Sequence, residues 1–198
     1  MAIILSKGGN INLNKEAPGM SKIRLGLGWD VNRFDSNGTF DLDVSLFCLE
    51  KDGESFSLKT EKDFVFYGNL KNGNESIIHF GDNRSGSGEG DDESIKVDLT
   101  NVESRIENIS IIVTIDSAEA RNQNFGMVSN AYIKIYNEET GVEIAKYDLS
   151  EDFSTETALQ FGSLYRNNGE WKFKAIGAGF KSGLAEFVRE YNAAHLLA

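Results

Sequence analysis

What the chain lacks narrows it first. Its 198 residues hold one cysteine, one proline and two histidines. Cys48 alone can form no internal disulfide. Cys48, His79 and His195 together fall short of the Cys/His set that closes a structural zinc site. Basic residues are outnumbered, 20 Lys and Arg against 31 Asp and Glu, for a net charge of −11. Nucleic-acid binding needs clustered Lys and Arg to neutralise phosphates, and an anionic bilayer repels such a chain. Neither is an expected partner, whereas a cation or a basic protein is. No apolar run approaches the ~20 residues of a membrane-spanning helix. The opening MAIILSKGGN has no basic leader ahead of its apolar run and does not read as a secretory signal. The expected location is the cytoplasm, with no membrane insertion. No Pro-rich or Gly/Ser-rich linker divides the sequence, which predicts one domain over 1–198.

What the chain has in quantity is period-two alternation. KIRLGLGW puts Ile23, Leu25, Leu27 and Trp29 on one face, and DLDVSLFCL does the same for Leu42, Val44, Leu46 and Cys48. SIIHF, SIKVDL, ISIIVTI, AYIKIY, VEIAKYDL, TALQFGSLY and WKFKAIG continue the pattern. Short alternating runs at regular spacing, separated by turn residues, are the mark of a sandwich or barrel. One segment breaks the rhythm: Leu184, Phe187, Val188 and Tyr191 recur at helical spacing. That predicts a C-terminal helix over about 182–195, with Ser182 as its N-cap. The fold class expected is all-β: an antiparallel two-sheet β-sandwich with a short C-terminal helix.

Direction can be followed along the chain. Tight-turn pairs occur in KDGE (51–54), KNGN (71–74), EETG (138–141) and NNGE (167–170), and Asn-Gly or Asp-Gly marks a hairpin. If strands alternate up and down from 23–29 through 41–49, 54–59, 63–67, 77–80, 93–99, 109–115, 129–136, 142–149 and 157–165 to 170–176, these turns share the lower pole. Loops 30–41, 60–63, 81–92, 116–126 and 150–156 then share the upper pole. Asp30, Asp41, Asp43, Asp82, Asp91, Asp92, Glu93, Asp116 and Glu119 gather there.

Within GDNRSGSGEGDDESI (81–95), five acids and four glycines sit between two apolar runs. Crowded carboxylates repel and raise one another's pKa unless something positive compensates them. Calcium takes 6–8 oxygens at about 2.3–2.6 Å, from carboxylates, amides and backbone carbonyls. The loop offers Asp82, Asn83, Asp91, Asp92 and Glu93, with carbonyls freed at Gly86, Gly88 and Gly90, since glycine reaches φ > 0 without a Cβ clash. Asp41 and Asp43 share a strand face about 6.6 Å apart. The spacing is neither an EF-hand, which fails at Arg84, nor a P-loop, which needs Gly-Lys-Ser/Thr. A mobile acidic hairpin loop is the competing reading. A Ser-His-Asp triad would have to use His79, in an apolar strand, or His195, in the tail. A carboxylate hydrolase would need two acids, not a crowd. Trp29, Trp171 and Cys48 read as packing residues, and no catalytic site is expected.

KIRLGLGWD (22–30), FDLDVSLF (40–47), FVFYGN (64–69), HFGDNRSGSGEGDDESI (79–95), FGMVSNAYIKI (125–135), YDLSEDFSTETALQFGSLYR (147–166) and WKFKAIGAGF (171–180) resemble, in order, the motifs of the TerD family. The resemblance implies a β-sandwich that binds Ca2+, two ions, through its acidic loops. Carried over by motif, the metal ligands would be drawn from Asp30, Asp41, Asp43, Asp82, Asn83, Ser85, Gly88, Asp91, Asp92, Glu93 and Asp116. Arg84, Ser85 and Glu89 depart from the family pattern. The resemblance also implies a non-enzymatic role in bacterial stress operons linked to tellurite resistance. The partner it implies is a protein of the same stress operon, membrane-associated proteins included, that reads the calcium-ordered pole. The alternative is a calcium-dependent, lectin-like binder in which an open coordination position meets a hydroxyl or phosphate.

Overall fold

The computed structural model describes residues 3–4, 8–31, 38–88, 90–149 and 153–195. The middle of loop 30–41, Glu89 and part of loop 150–156 lie outside them. The strands are β1 (Ile3–Ile4), β2 (Asn10–Asn12), β3 (Lys22–Gly28), β4 (Leu42–Asp52), β5 (Ser55–Ser57), β6 (Phe64–Val65), β7 (Ile77–His79), β8 (Glu93–Asp98), β9 (Asn108–Ile115), β10 (Tyr132–Asn137), β11 (Glu143–Asp148), β12 (Ala158–Asn167) and β13 (Glu170–Phe180). Among the described residues there are three short α-helices: α1 (Leu13–Glu16) between β2 and β3, α2 (Ala118–Arg121) between β9 and β10, and α3 (Ala185–Glu190) after β13. Every strand read from alternation is present. β1 and β2 are additions, too short to alternate.

The strands form two sheets, in the orders β1-β11-β10-β3-β8-β7 and β2-β13-β12-β9-β4-β5, with β6 also on β4. All pairings are antiparallel except β1 with β11. The inner faces meet in one core. Ile23, Leu25 and Leu27 of β3 are buried there with Leu42, Val44, Leu46 and Cys48 of β4, as are Ile133, Ile135, Phe161 and Phe173. Each such side chain contributes about 1.5–3 kcal/mol by leaving water. Between Gln160 and Gly162 the register slips on both sides of β12. A β-carbon at Gly162 would come within 2.4 Å of the Phe173 ring and 2.6 Å of the Lys174 carbonyl, so the packing of Phe173 against this strand requires glycine.

β4 and β9 are buried almost along their length, on both faces. The residues out of phase with the main core, Phe47, Leu49 and Ile112, join Leu58, Phe64, Ala158, Phe187 and Tyr191 in a second cluster. That cluster lies under α3. The helix is shorter than expected, six residues rather than about fourteen. Gly183 turns the chain at φ +60, so the cap position is Leu184, without a side-chain bond, and not Ser182. Phe187 and Tyr191 still form the apolar stripe. The Tyr191 hydroxyl meets Ser110 Oγ at 2.9 Å and accepts from Gln160 Nε2 at 3.1 Å.

One expected direction is wrong. β6 pairs antiparallel with β4, as β5 does, so 58–63 crosses along the β4 edge without reversing, and 60–63 is not at the upper pole. The chain instead reverses at Phe66–Asn69 and runs back through Lys71, which bridges Ile78. These two departures cancel. Every later strand keeps its expected direction, and the described parts of loops 30–41 and 81–92 share one end with loop 116–126.

Candidate metal centre

Strand ends build the upper pole. β3 and β7 arrive there, β4 and β8 leave, and β9 arrives beside β4. Leu42 and Val44 point into the core, so Asp41 and Asp43 point outward. Asp82, just past β7, reaches the same spot, and carboxylate oxygens of Asp41, Asp43 and Asp82 lie within 4.8 Å of one another. Thr39, Tyr67, Arg84, Asp116 and Arg121 complete a cleft of about 230 Å³ around them. The Asp116 N–H donates to Asp41 O at 2.8 Å and ties the end of β9 to the start of β4.

Asp41 and Asp43 are each only 7% exposed, and Asp41 Oδ1 is buried without a hydrogen-bond partner. Burial, then the neighbouring acids Glu93, Asp41, Asp82 and Asp116, push the Asp43 carboxyl up to about 8. Asp41 is raised by burial and by Asp82 and Asp116, with Arg121 and Arg84 pulling the other way. Carboxylates crowded together out of water raise one another in this way, and the two rim arginines offset only part of it.

A second cleft, of about 450 Å³, opens beside the first. It is lined by Trp29, Asp30, Gly86, Gly88, Gly90, Asp92, Asn130, Tyr132, Lys146 and Asp148. Asp92 Oδ2 accepts from the Trp29 N–H at 3.0 Å and Oδ1 from Asn83 Nδ2 at 2.9 Å. Burial raises the Asp92 carboxyl, and the Trp29 N–H partly offsets it. Asp30 accepts from Asn130 Nδ2 at 2.7 Å. The loop backbone lies on Trp29 at Gly86, where φ is +65 and a β-carbon would sit 2.6 Å from the indole nitrogen.

The expected ligands divide accordingly. Asp41, Asp43, Asp82 and Asp116 share the first cleft, and Asp30, Gly88 and Asp92 share the second. Asp91 turns to the outer sheet face, where Tyr132 Oη donates to it at 3.0 Å and Lys134 Nζ lies 2.9 Å away. Its carboxylate occupies the space a Gly26 side chain would fill. Glu93 points inward, 2% exposed. It accepts from Val44 N–H at 2.9 Å and Asn83 N–H at 3.3 Å, with His79 Nε2 at 3.6 Å. It braces the loop against the open edge of β4. Asn83 Oδ1 accepts from the Ser85 N–H at 3.2 Å, and Ser85 Oγ shares a hydrogen bond with Ser87 at 2.8 Å; both hold the turn in shape. Tyr67, Thr39, Arg121, Asn130 and Asp148 were not anticipated. Tyr67 follows from the direction of β6, which carries 66–68 up to the pole. Asp148 ends β11, a strand that rises toward the pole as the up-and-down alternation of strands predicts. Asn130 reaches its place through φ +54, which leaves no mark in the sequence.

Comparison with known proteins agrees with this architecture. Residues 1–191 match the TerD domain model. General stress protein 16U of Bacillus subtilis (strain 168) is 53% identical over 191 residues, 96% of this chain and 97% of its own length. Tellurium resistance protein TerD of Serratia marcescens is 49% identical over the same shares. The crystal structure of a homologue of telluride resistance protein (TerD) from Streptomyces coelicolor A3(2) superposes with a TM-score of 0.72 at 22% identity. It covers 85% of this chain and 95% of that one, a likeness of fold. With the domain model matched almost end to end and relatives about half identical over nearly their whole lengths, this chain belongs to the TerD family.

Proposed function

We propose that this chain is a calcium-binding, non-enzymatic module of a bacterial stress response linked to tellurium resistance. Its acidic pole, ordered by Ca2+, is read by a protein partner. The names of its relatives support the stress and tellurium part of this reading. The observation that carries the calcium part is the Asp41, Asp43 and Asp82 group, with its buried and unpartnered Asp41 oxygen. A hard cation with an oxygen shell suits that donor set, and the second cleft can take a second ion. The chain's nucleophile candidates suit structural roles better than catalysis: Cys48 is buried with its thiol pushed up by burial, and His79 is packed against Glu93 beneath the loop.

Calorimetric titration of chelator-treated protein with calcium tests the reading. Binding should persist in millimolar magnesium, because magnesium demands a near-octahedral shell at about 2.0–2.1 Å and these ligands come from three separate loops. Asp43→Asn should weaken calcium binding at the first cleft at least tenfold. Asp52→Asn should not change it, since Asp52 lies in a lower-pole turn and pairs with Lys59 at 2.7 Å. Equal affinities in the two variants, or full displacement of calcium by magnesium, would remove the support for this site.

A further inference from the structure

Two arginines stand on the rim of the first cleft, whose other charged residues are Asp41, Asp43, Asp82 and Asp116. Arg84 Nε donates to Asp82 at 2.9 Å and Arg121 Nη2 to Asp116 at 3.4 Å, and both side chains line the cleft with Asp41 and Asp43. A cation site gains nothing directly from flanking guanidiniums, because like charges repel. These two nevertheless hold carboxylates that a bound cation would draw on. They do not take its place. Asp41 Oδ1, deep in the cleft, remains without a partner, while Arg84 is mostly exposed at 76%.

An ion bound by Asp41, Asp43 and Asp82 therefore competes with Arg84 for Asp82, and by its charge weakens the hold of Arg121 on Asp116. Resting on the calcium reading above, we propose that calcium frees Arg84 and Arg121, and that the loaded cleft then binds a phosphate group, carried by inorganic phosphate or by a small phosphomonoester. The chemistry favours that ligand. A phosphate presents several oxygens, and the loaded cleft presents three positive partners: the ion and two guanidiniums. Guanidinium forks match phosphate oxygens in pairs. A calcium shell of 6–8 oxygens has positions left after three carboxylates. The cleft, at about 230 Å³, admits one such group and little more. Binding of the anion thus depends on prior binding of the cation.

The test uses the full chain and dilute inorganic phosphate, followed by calorimetry, first with saturating calcium and then with chelator. Saturable binding is expected with calcium and at least tenfold weaker binding without it. The double variant Arg84→Gln with Arg121→Gln should lose at least tenfold in phosphate affinity. Its calcium affinity should stay the same or rise, because competitors for Asp82 and Asp116 are gone; a purely structural role for the arginines would lower it. Glycerol phosphate in a parallel arm separates the sources. Equal binding means the phosphoryl group is recognised wherever it is carried, and preference for inorganic phosphate means the free ion is the ligand. Calcium-loaded protein that ignores both probes overturns the proposal alone, as does a double variant that binds phosphate unchanged or calcium more weakly. Protein that takes up no calcium overturns the calcium reading, and this proposal with it.

Discussion

Chelated protein should melt well below calcium-loaded protein, and the gap should widen as pH rises from 5 to 8. Native-state binding at a thousandfold excess over Kd stabilises by about 4 kcal/mol. In a chain of this size that corresponds to roughly 8–16 °C in Tm. The pH dependence follows from Asp43, whose carboxyl is pushed up from 3.8 to about 8 by burial and the neighbouring acids. A raised carboxyl binds its proton more tightly in the folded state than in the unfolded one. Its contribution to stability is fully present below pH 4 and is lost as pH climbs to about 8. Groups with lowered carboxyls, such as Asp98 and Glu138, act below that window and leave it clear. Calcium takes the ionised carboxylate, so at pH 5 it must expel the proton and at pH 8 it need not. Chelated protein should therefore lose stability across this range while loaded protein holds it. Melting curves at three pH values, with chelator and with excess calcium, measure both. Identical midpoints would rule out calcium as a ligand of the native pole.

Arg105→Ala should cost about 3 kcal/mol with no effect on the pole. Arg105 clamps the lower end of the second sheet. Its guanidinium donates to Asp63 through two nitrogens, at 2.9 and 2.7 Å, and also reaches Glu50 at 2.6 Å and Glu103 at 2.7 Å. The Asp63 side chain is 3% exposed, and its other partners are the Thr60 N–H and hydroxyl. Truncating Arg105 leaves a buried carboxylate uncompensated, a change that typically costs about 3–5 kcal/mol. Arg105 is a third exposed and water can partly replace it, which sets the expectation at the low end. Adding Asp63→Asn should recover part of the loss, since the amide carries no charge to bury. Urea unfolding of the single and double variants reads this directly. A double variant no more stable than Arg105→Ala alone would contradict the argument.

The strands were legible because both sheets bury one face, and a buried face writes its period into the sequence. β4 and β9 show where that reading thins: Phe47, Leu49 and Ile112 break the alternation because α3 covers their outer side. The direction of β6 was not legible, since nothing in residues 58–63 says whether a chain crosses an edge or turns back. That error hid Tyr67 from the site. The sequence presents the acids as one crowd, yet part of their division is written in its alternation. Glu93 is in phase with Ile95 and Val97, so alternation itself places it on the inner face. Asp91 was different. Only the bare surface at Gly26, with Tyr132 and Lys134 beside it, decides that its carboxylate leaves the pole.

The two tryptophans divide the molecule optically. Trp29 lies at the pole: its backbone N–H is held by Asp92, its indole N–H donates to Phe40 O at 3.1 Å, and Gly86 rests on its ring. Trp171 is remote from the acidic loops, with its indole N–H on Leu99 O at 3.0 Å and Arg166 stacked 4.4 Å over its ring. An ion that draws loop 81–92 inward changes the surroundings of one indole and leaves the other as it was. The protein therefore carries an intrinsic fluorescent reporter together with its own reference. Replacing Trp171 with Phe isolates the emission of Trp29, so occupancy by the proposed cation can be followed without an attached dye.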